Sequence, residues 1–505
     1  MPVSAQVLRH AADRPHHPAV RGRSGELTYA ELAARIAGAA RRLSDLLGRT
    51  APPPAVRPTA TIPPPADRPT PTVPPPADRP TASAPPPSGP EAGRRPLVAV
   101  SLDDPIELLV AVLAADLAGA MPLVCDPSWG PERRALVMRA VPVDASIDAP
   151  LPAPPVSPPP TSGAAAPDDP AWACFSSGST GRPRAVVRTR ASWTASFPHL
   201  DRLTGIGPDD VVLVPGPLVS SLYAFAAVHT LATGATAVLP GRWSPADLAA
   251  DLAEATVVHL VPHRLPAVLD ALGRTASPLR TAVIGGAALP GGARERAAAA
   301  GVHVVAYYGA TELSFVAVDA DGAGLRPFPG TDIEVRVPRG QRLGEVWARS
   351  PWLSQGYLAG ATGPLRVDDA GWMSVGDLAE PYRPGEVLRL RGRGDGAIQT
   401  GGATVVPEDV EEVLRGVPGV GDLVVVGSPH PYLGSVVTAV LETRDAAPPP
   451  RARLEAAARS GLDTAQRPRR WYAVPELPRT PTGKPARGLV ATRLADGDPG
   501  LRRLG

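Results

Sequence analysis

The chain has 505 residues, room for two to four domains at about 150 residues each. Its 51 Lys+Arg against 49 Asp+Glu leave a formal net charge of only +2, which excludes the clustered basic footprint of a nucleic-acid-binding protein. Cys125 and Cys174 are the only cysteines, too few for a disulfide framework or a cysteine zinc site.

The first residues, MPVSAQVLRHAADRPHHPAV, lack the apolar core of a signal peptide. No apolar run reaches the roughly 18 residues of a membrane helix. Both features predict a cytoplasmic protein with no membrane insertion. LTYAELAARIAGAARRLSDLL reads as a helix. Thr28 is placed to cap it, with Glu31 three residues on, and Leu32, Ile36, Ala39 and Leu43 recur at helical spacing. Residues 51–92 then carry PPPAVRPT or PPPADRPT every 11 residues. Lacking core-forming side chains, this insertion is expected to be extended polyproline II or disordered. A second Pro-rich stretch covers 150–170. Together they hold 26 of the 66 prolines, which make up about 13% of the chain against a usual 5% or so.

Between these stretches RPLVAVSLDD, PIELLVAVLAADLAGA and MPLVCDP read as strand, helix and strand, one parallel βαβ unit. After 205 the alternation continues through VVLVPGP, ATAVLP, ATVVHLVP, TAVIGG and VHVVAYYG, with helices between. The expected fold class is therefore α/β, with helices on both faces of parallel-rich sheets. Past about 330 short strands with Gly and Pro turns predict a β-rich subdomain. Past about 395 EDVEEVLRGV, DLVVVGS, VVTAVLE and RARLEAAARSGL predict a small α+β unit. The reading divides the chain into a large domain, 1–394, and a small C-terminal domain, 395–505.

Five segments carry candidate chemistry. FSSGSTGRPR at 175–184 brings small and hydroxylic residues together, a composition that lets backbone N–H groups and hydroxyls converge on phosphate oxygens. It is not a Walker loop, since no GK[ST] ends it, and alone it also reads as an ordinary flexible loop. YYGATE at 307–312 follows a buried-looking strand, and GWMSVGDL at 371–378 places Asp377 in a turn. GRGDGAIQTGGATVVPEDVE spans 392–411. PRTPTGKPAR at 478–487 holds Lys484, the single lysine among the 51 basic residues. Arg cannot replace Lys where a compact point charge is wanted, yet a lone lysine also reads as a surface residue. Glu312 and Asp377, taken singly, also read as a surface carboxylate and a turn residue. His259 and His263, in VVHLVPHRL, read as core or rim histidines.

In this order and at these separations, the five segments resemble the adenylate-forming superfamily of acyl-CoA synthetases, luciferases and peptide-synthetase adenylation domains. The resemblance covers roughly 20–500 apart from the Pro-rich insertions. It implies ATP, Mg²⁺ and coenzyme A as cofactors. Ser176, Ser177, Gly178, Ser179, Thr180 and Gly181 would close over the ATP phosphates. Gly285, Gly286 and Ala287 would line the adenine and substrate side, and Tyr308 would stack on adenine. Thr311 would bond the α-phosphate and Glu312 would bind Mg²⁺. Asp377 would accept the ribose hydroxyls and Arg393 would contact ribose or phosphate. Asp395 would be the hinge of a mobile small domain. Lys484 would bridge the attacking carboxylate and the α-phosphate. Gly401 and Gly402 would lie on the face that the small domain presents for thioester formation.

Three positions depart from the family pattern. Arg184-Ala185 stands where Lys-Gly is usual, Val375 where a Thr is usual, and Gln399 where a Lys is frequent. The segment SLYAFAAV at 221–228 lacks the Asp with which an amino-acid-activating member would hold the substrate ammonium. Burying an ammonium without a counter-charge is costly, so a carboxylic acid with an uncharged tail is expected. Tyr223 and Phe225 read as pocket walls or as helix core. Only 21 residues follow Lys484, which predicts a free thiol acceptor, CoA or a separate acyl carrier protein. The resulting expectation is an AMP-forming acid–CoA ligase. Carrier loading and a degenerate pseudo-ligase that binds partners through the Pro repeats are the alternatives.

Overall fold

The computed structural model describes residues 4–504 apart from 51–94, 153–165, 176–183, 362, 394–395, 397, 401–402, 432–433, 444–447, 463–465 and 481–482. The Pro-rich repeats, the loop 176–181, Asp395, Gly401 and Gly402 therefore lie outside the described residues.

Two parallel-rich sheets organise the N-terminal part. Among the described residues, the larger has the strand order Arg326–Pro327, Ser314–Asp319, His303–Ala310, Thr281–Gly285, Val257–Leu260, Val211–Leu213, Thr236–Leu239, Pro18–Gly22 and Gly25–Thr28. Its interior pairings, from His303–Ala310 to Pro18–Gly22, are parallel, and both edges are antiparallel. The second sheet runs Gly356–Tyr357, Ala185–Thr189, Pro170–Phe175, Met121–Val124, Leu97–Val100 and Ala145–Ile147. Its last four strands are parallel, and the first two close it antiparallel.

Successive strand residues face opposite sides, so each sheet feeds two cores. Val212, Val257, Val283 and Val305 join Val98, Val100 and Val124 in one core between the sheets. Their neighbours Leu213, Val258, Ile284 and Val304 face a second core, shared with helices Leu265–Leu272 and Ala293–Ala299. Leu97, Leu123 and Ala173 build a third, outside the second sheet. Two helices, Pro105–Leu117 and Ser221–Thr233, lie in the inter-sheet layer and are apolar on nearly every side, as a helix buried all round must be. Asp104 starts the first, accepting from the N–H groups of Ile106 and Glu107 at 2.9 and 3.0 Å. Gly234, with φ of +85°, stops the second. The box predicted at Thr28 is present. Glu31 Oε2 accepts from the Thr28 N–H at 2.8 Å, and the Glu31 N–H donates to Thr28 Oγ1 at 3.3 Å. Leu32, Ile36, Ala39 and Leu43 are all fully buried.

Past these layers the chain forms an antiparallel sheet from Asp332–Arg336, Gly344–Arg349, Arg366–Val367, Met373–Ser374, Asp377–Ala379 and Leu390–Arg393. The smaller C-terminal domain has its own sheet, centred on Leu423–His430, Gly434–Glu442 and Arg470–Val474. Helices Pro407–Arg415 and Arg451–Gly461 cover one face of it and Arg487–Ala495 the other, each over a separate core. Among the described residues no helix is long and apolar enough to cross a membrane.

Candidate active site

Strand His303–Ala310 and its antiparallel partner Ser314–Asp319 put the YYGATE segment at a sheet end. Two features fix that turn. A Cβ on Gly309 would lie 2.0 Å from the Ser314 carbonyl oxygen, so only glycine fits. Ser314 itself takes a left-handed backbone, φ +57°, which a non-glycine residue adopts at a cost. Alternation then sends the two tyrosines apart. Tyr308 packs toward the antiparallel sheet, where its hydroxyl donates to Asp377 Oδ2 at 2.7 Å. Tyr307 packs against the inter-sheet core.

Asp377 is 8% exposed and opens its strand, with Arg393 as its cross-strand partner in register. The sequence-predicted residues Tyr308, Asp377 and Arg393 are thus neighbours in the fold. Thr311 Oγ1 lies 3.0 Å from Ser221 Oγ, at the first residue of helix Ser221–Thr233. Glu312 is only 3% exposed. Tyr357 donates its hydroxyl to Glu312 Oε1 at 2.8 Å, and the second carboxylate oxygen has no hydrogen bond among the described residues. Burial first, and then the Glu312 charge, hold the Tyr357 phenol well above its ordinary range, so it stays a donor. A carboxylate with one oxygen oriented and the other open suits Mg²⁺, which takes one or two protein carboxylates and keeps its remaining positions for phosphate and water.

Lys484 comes from the other domain. It sits in a tight loop in which the Thr480 N–H donates to the Lys484 carbonyl at 2.7 Å and the Lys484 N–H to Thr480 Oγ1 at 3.2 Å. Gly483, at φ +84°, brings this loop against the His263 ring, and a Cβ there would stand 3.0 Å from Nε2. Burial first, then the neighbouring Arg264, holds His263 below its ordinary pKa, and Lys484 adds to that effect. The Lys484 ammonium lies over Gly286, 3.4 Å from where a Cβ would be. Gly286 and Ala287 are exposed at the end of strand Thr281–Gly285, while Gly285 is buried under the Tyr307 ring.

One residue at the centre of this arrangement escapes motif reading. Arg188, on Ala185–Thr189, is 4% exposed. Its guanidinium donates to the carbonyls of Thr311 at 3.0 Å, Ser192 at 2.8 Å and Trp352 at 2.8 Å. Burial pushes its pKa down to about 10, while the Glu312 charge opposes the fall, so it remains a cation at neutral pH beside Glu312. The signal for it was a charge inside the apolar strand AVVRT. Among the family departures, Ala185 and Val375 are buried apolar side chains, and the Arg184 charge acts on Tyr357. Of the two histidines read as core or rim, His259 is buried on the inter-sheet side, where desolvation pushes its pKa down to about 3. Tyr223 and Phe225 are both buried on helix Ser221–Thr233. Phe225 stacks on Trp193 at 5.6 Å and meets Phe315 edge-on at 5.0 Å.

A family profile described as AMP-binding enzyme matches residues 89–358, and one described as AMP-binding enzyme C-terminal domain matches residues 409–484. The uncharacterized acyl–CoA ligase YhfT of Bacillus subtilis is 34% identical over 349 residues, 65% of this chain and 70% of that protein. A probable 2-succinylbenzoate–CoA ligase of Mycobacterium tuberculosis is 32% identical over 352 residues, 65% of this chain and 85% of that protein. The crystal structure of ATP-bound MatB from Rhodopseudomonas palustris superposes with a TM-score of 0.75 over 98% of this chain and 99% of that one. At 21% identity, that last likeness bears on the fold.

Proposed function

This chain belongs to the AMP-binding enzyme family and is an AMP-forming acid–thiol ligase, and we propose that it joins a carboxylic acid with an uncharged tail to CoA through an acyl-adenylate. In the first half-reaction the carboxylate oxygen attacks the α-phosphorus of ATP and pyrophosphate leaves. In the second the CoA thiol attacks the acyl carbonyl carbon, AMP leaves, and the thiol proton passes to solvent. The observation that carries the reading is the seat of the only lysine. A small-domain loop delivers the Lys484 ammonium onto Gly286 of the large domain, beside the strand end that bears Thr311 and Glu312. Two anions must meet in the first step, and preorganised positive charge at their junction offsets the repulsion.

The other roles follow from the same demand. Thr311, paired with Ser221, offers a hydroxyl to the α-phosphate. Glu312, oriented by Tyr357, would hold Mg²⁺, which when bound supplies further neutralisation of phosphate charge. Arg188 fixes the Thr311 carbonyl and so the direction of the Thr311–Glu312 turn. Tyr308 presents its ring to adenine while its hydroxyl orients Asp377 toward the ribose. Ser176–Gly181 would cover the phosphates and Arg393 would reach ribose or phosphate. Asp395 would serve as the hinge at the boundary of 1–394 and 395–505, with Gly401 and Gly402 beside the pantetheine arm. The acid tail carries no ammonium, because helix Ser221–Thr233 offers it no carboxylate.

The test is incubation with ATP, Mg²⁺, CoA and a panel of carboxylic acids, with products read by mass spectrometry. A new CoA thioester together with AMP supports the proposal. Acyl-AMP without thioester moves the acceptor to a carrier protein's pantetheine, and neither product from any acid removes the reading.

A further inference from the structure

Two glycines have tyrosine rings standing where their own side chains would be. A Cβ on Gly285 would lie 2.2 Å from Tyr307 Cζ and 2.6 Å from its hydroxyl, so the phenol end of the ring stands against the strand end, next to Gly286. A Cβ on Gly216 would lie 2.0 Å from Tyr223 Cε2, so a second phenol crosses the neighbouring loop. The two rings belong to one wall. Tyr223 reaches the backbone of Val261, whose side chain is the next neighbour of Gly286 after Lys484. The Tyr223 and Tyr307 hydroxyls also act on each other electrostatically. Burial pushes Tyr223 up to about 12 and Tyr307 higher still, so both remain neutral and the wall carries no charge.

Neither ring has an easy way to withdraw. Tyr307 rests on Phe315 at 4.7 Å between ring centres, and Phe315 rests on Phe225 at 5.0 Å, inside the inter-sheet core. Interiors are close-packed, so a ring there moves only if its neighbours move. Gly286 thus lies under the Lys484 ammonium, and the Tyr307 phenol covers the adjacent Gly285.

We propose that Tyr307 and Tyr223 together form the floor of the acid site and restrict it to short-chain carboxylic acids. The inference rests on the function proposed above and names the substrate class of that same site. The tyrosines act on specificity by occupying the space a longer tail would need. Tail length is a sensitive readout, since one methylene in an apolar pocket is worth about 10- to 200-fold in discrimination.

The experiment measures kcat/KM for acid-dependent AMP formation with acetate, propionate, butyrate, hexanoate, octanoate and dodecanoate. The wild-type protein is expected to fall at least about tenfold between butyrate and octanoate. Tyr307→Ala is expected to raise the octanoate-to-propionate ratio by at least about tenfold, whereas Tyr307→Phe keeps the wild-type order because the ring remains. Wild-type turnover of octanoate equal to that of propionate overturns the proposal without any variant. So does an unchanged length profile in a Tyr307→Ala protein that still forms AMP. If Tyr307→Ala does not fold, Tyr223→Ala tests the same floor from the helix side, with the same expected change of ratio. Absence of AMP from every acid in the wild type is a different failure, since it removes the ligase reading itself.

Discussion

One strand, His303–Ala310, serves two unlike regions. On the side of Tyr308 the contacts are polar and directional: a phenol on Asp377, a hydroxyl on Ser221, a carboxylate held by Tyr357, and an arginine on three carbonyls. On the side of Tyr307 they are aromatic faces and edges, with Phe315, Phe225 and Trp193 in sequence. The first region suits a ligand of fixed chemistry, such as a nucleotide, in which each oxygen needs a partner at one distance. The second suits a ligand defined by shape, where volume decides and individual atoms count for less.

Perturbing the polar side should cost rate while leaving acid preference alone, and the effects should rank by charge. Lys484→Ala is expected to lower adenylation about 10²- to 10³-fold, as pyrophosphate release would report, with a much smaller loss in thioester formation from supplied acyl-adenylate. Adenylation at the wild-type rate in this variant would remove the lysine from the first step. Arg188→Met takes a cation from beside Glu312 and unties the Thr311 carbonyl. A drop of about 10- to 100-fold in kcat/KM for Mg·ATP is expected, partly restored by Arg188→Lys, with the order among acids unchanged. A changed order would show that the two regions are not separable. Tyr308→Phe removes one hydrogen bond to Asp377 and should cost about 3- to 10-fold in kcat/KM for ATP.

The smallest expected effect is on stability and belongs to the aromatic side. Buried His259 has its pKa held near 3, against about 6.5 in the unfolded chain, so the unfolded state binds the extra proton between those values. Stability is therefore full above pH 6.5 and declines as pH falls toward 3. Between pH 6.5 and 5 the loss from this one group is about 1–2 kcal/mol. Urea midpoints for wild type and His259→Gln should diverge at pH 7 and approach one another at pH 5. Parallel pH dependence in the two proteins would mean that His259 is not the group responsible.

The same division governs what was readable beforehand. Strand and helix alternation from 97 to 310, the Thr28–Glu31 box and the change to short antiparallel strands after 330 were plain in the order of residues. There periodicity and capping chemistry act locally. The motif residues Tyr308, Thr311, Glu312, Asp377 and Lys484 were legible as a set, because their spacing is read against a family pattern. Arg188 was not, since 50 of 51 basic residues are Arg and one more carries little signal until its three carbonyl partners are seen. Tyr223 read equally as pocket wall or helix core and Tyr307 was not singled out, because the rings are set against Gly216 and Gly285, which lie 7 and 22 residues away in the chain.

The back-to-back placement of Tyr307 and Tyr308 has a consequence for lineages. Under the roles proposed above, alternate positions on one strand answer to different selective pressures: substitutions at 307 would explore new acids while 308 would keep its hold on the nucleotide. A register slip by a single residue would exchange the two jobs, and the Gly309–Ser314 turn, with no space for a Cβ, stands against it. A fold with this layout can diversify its diet by changing one side of a strand, and inherits its energy source unaltered on the other.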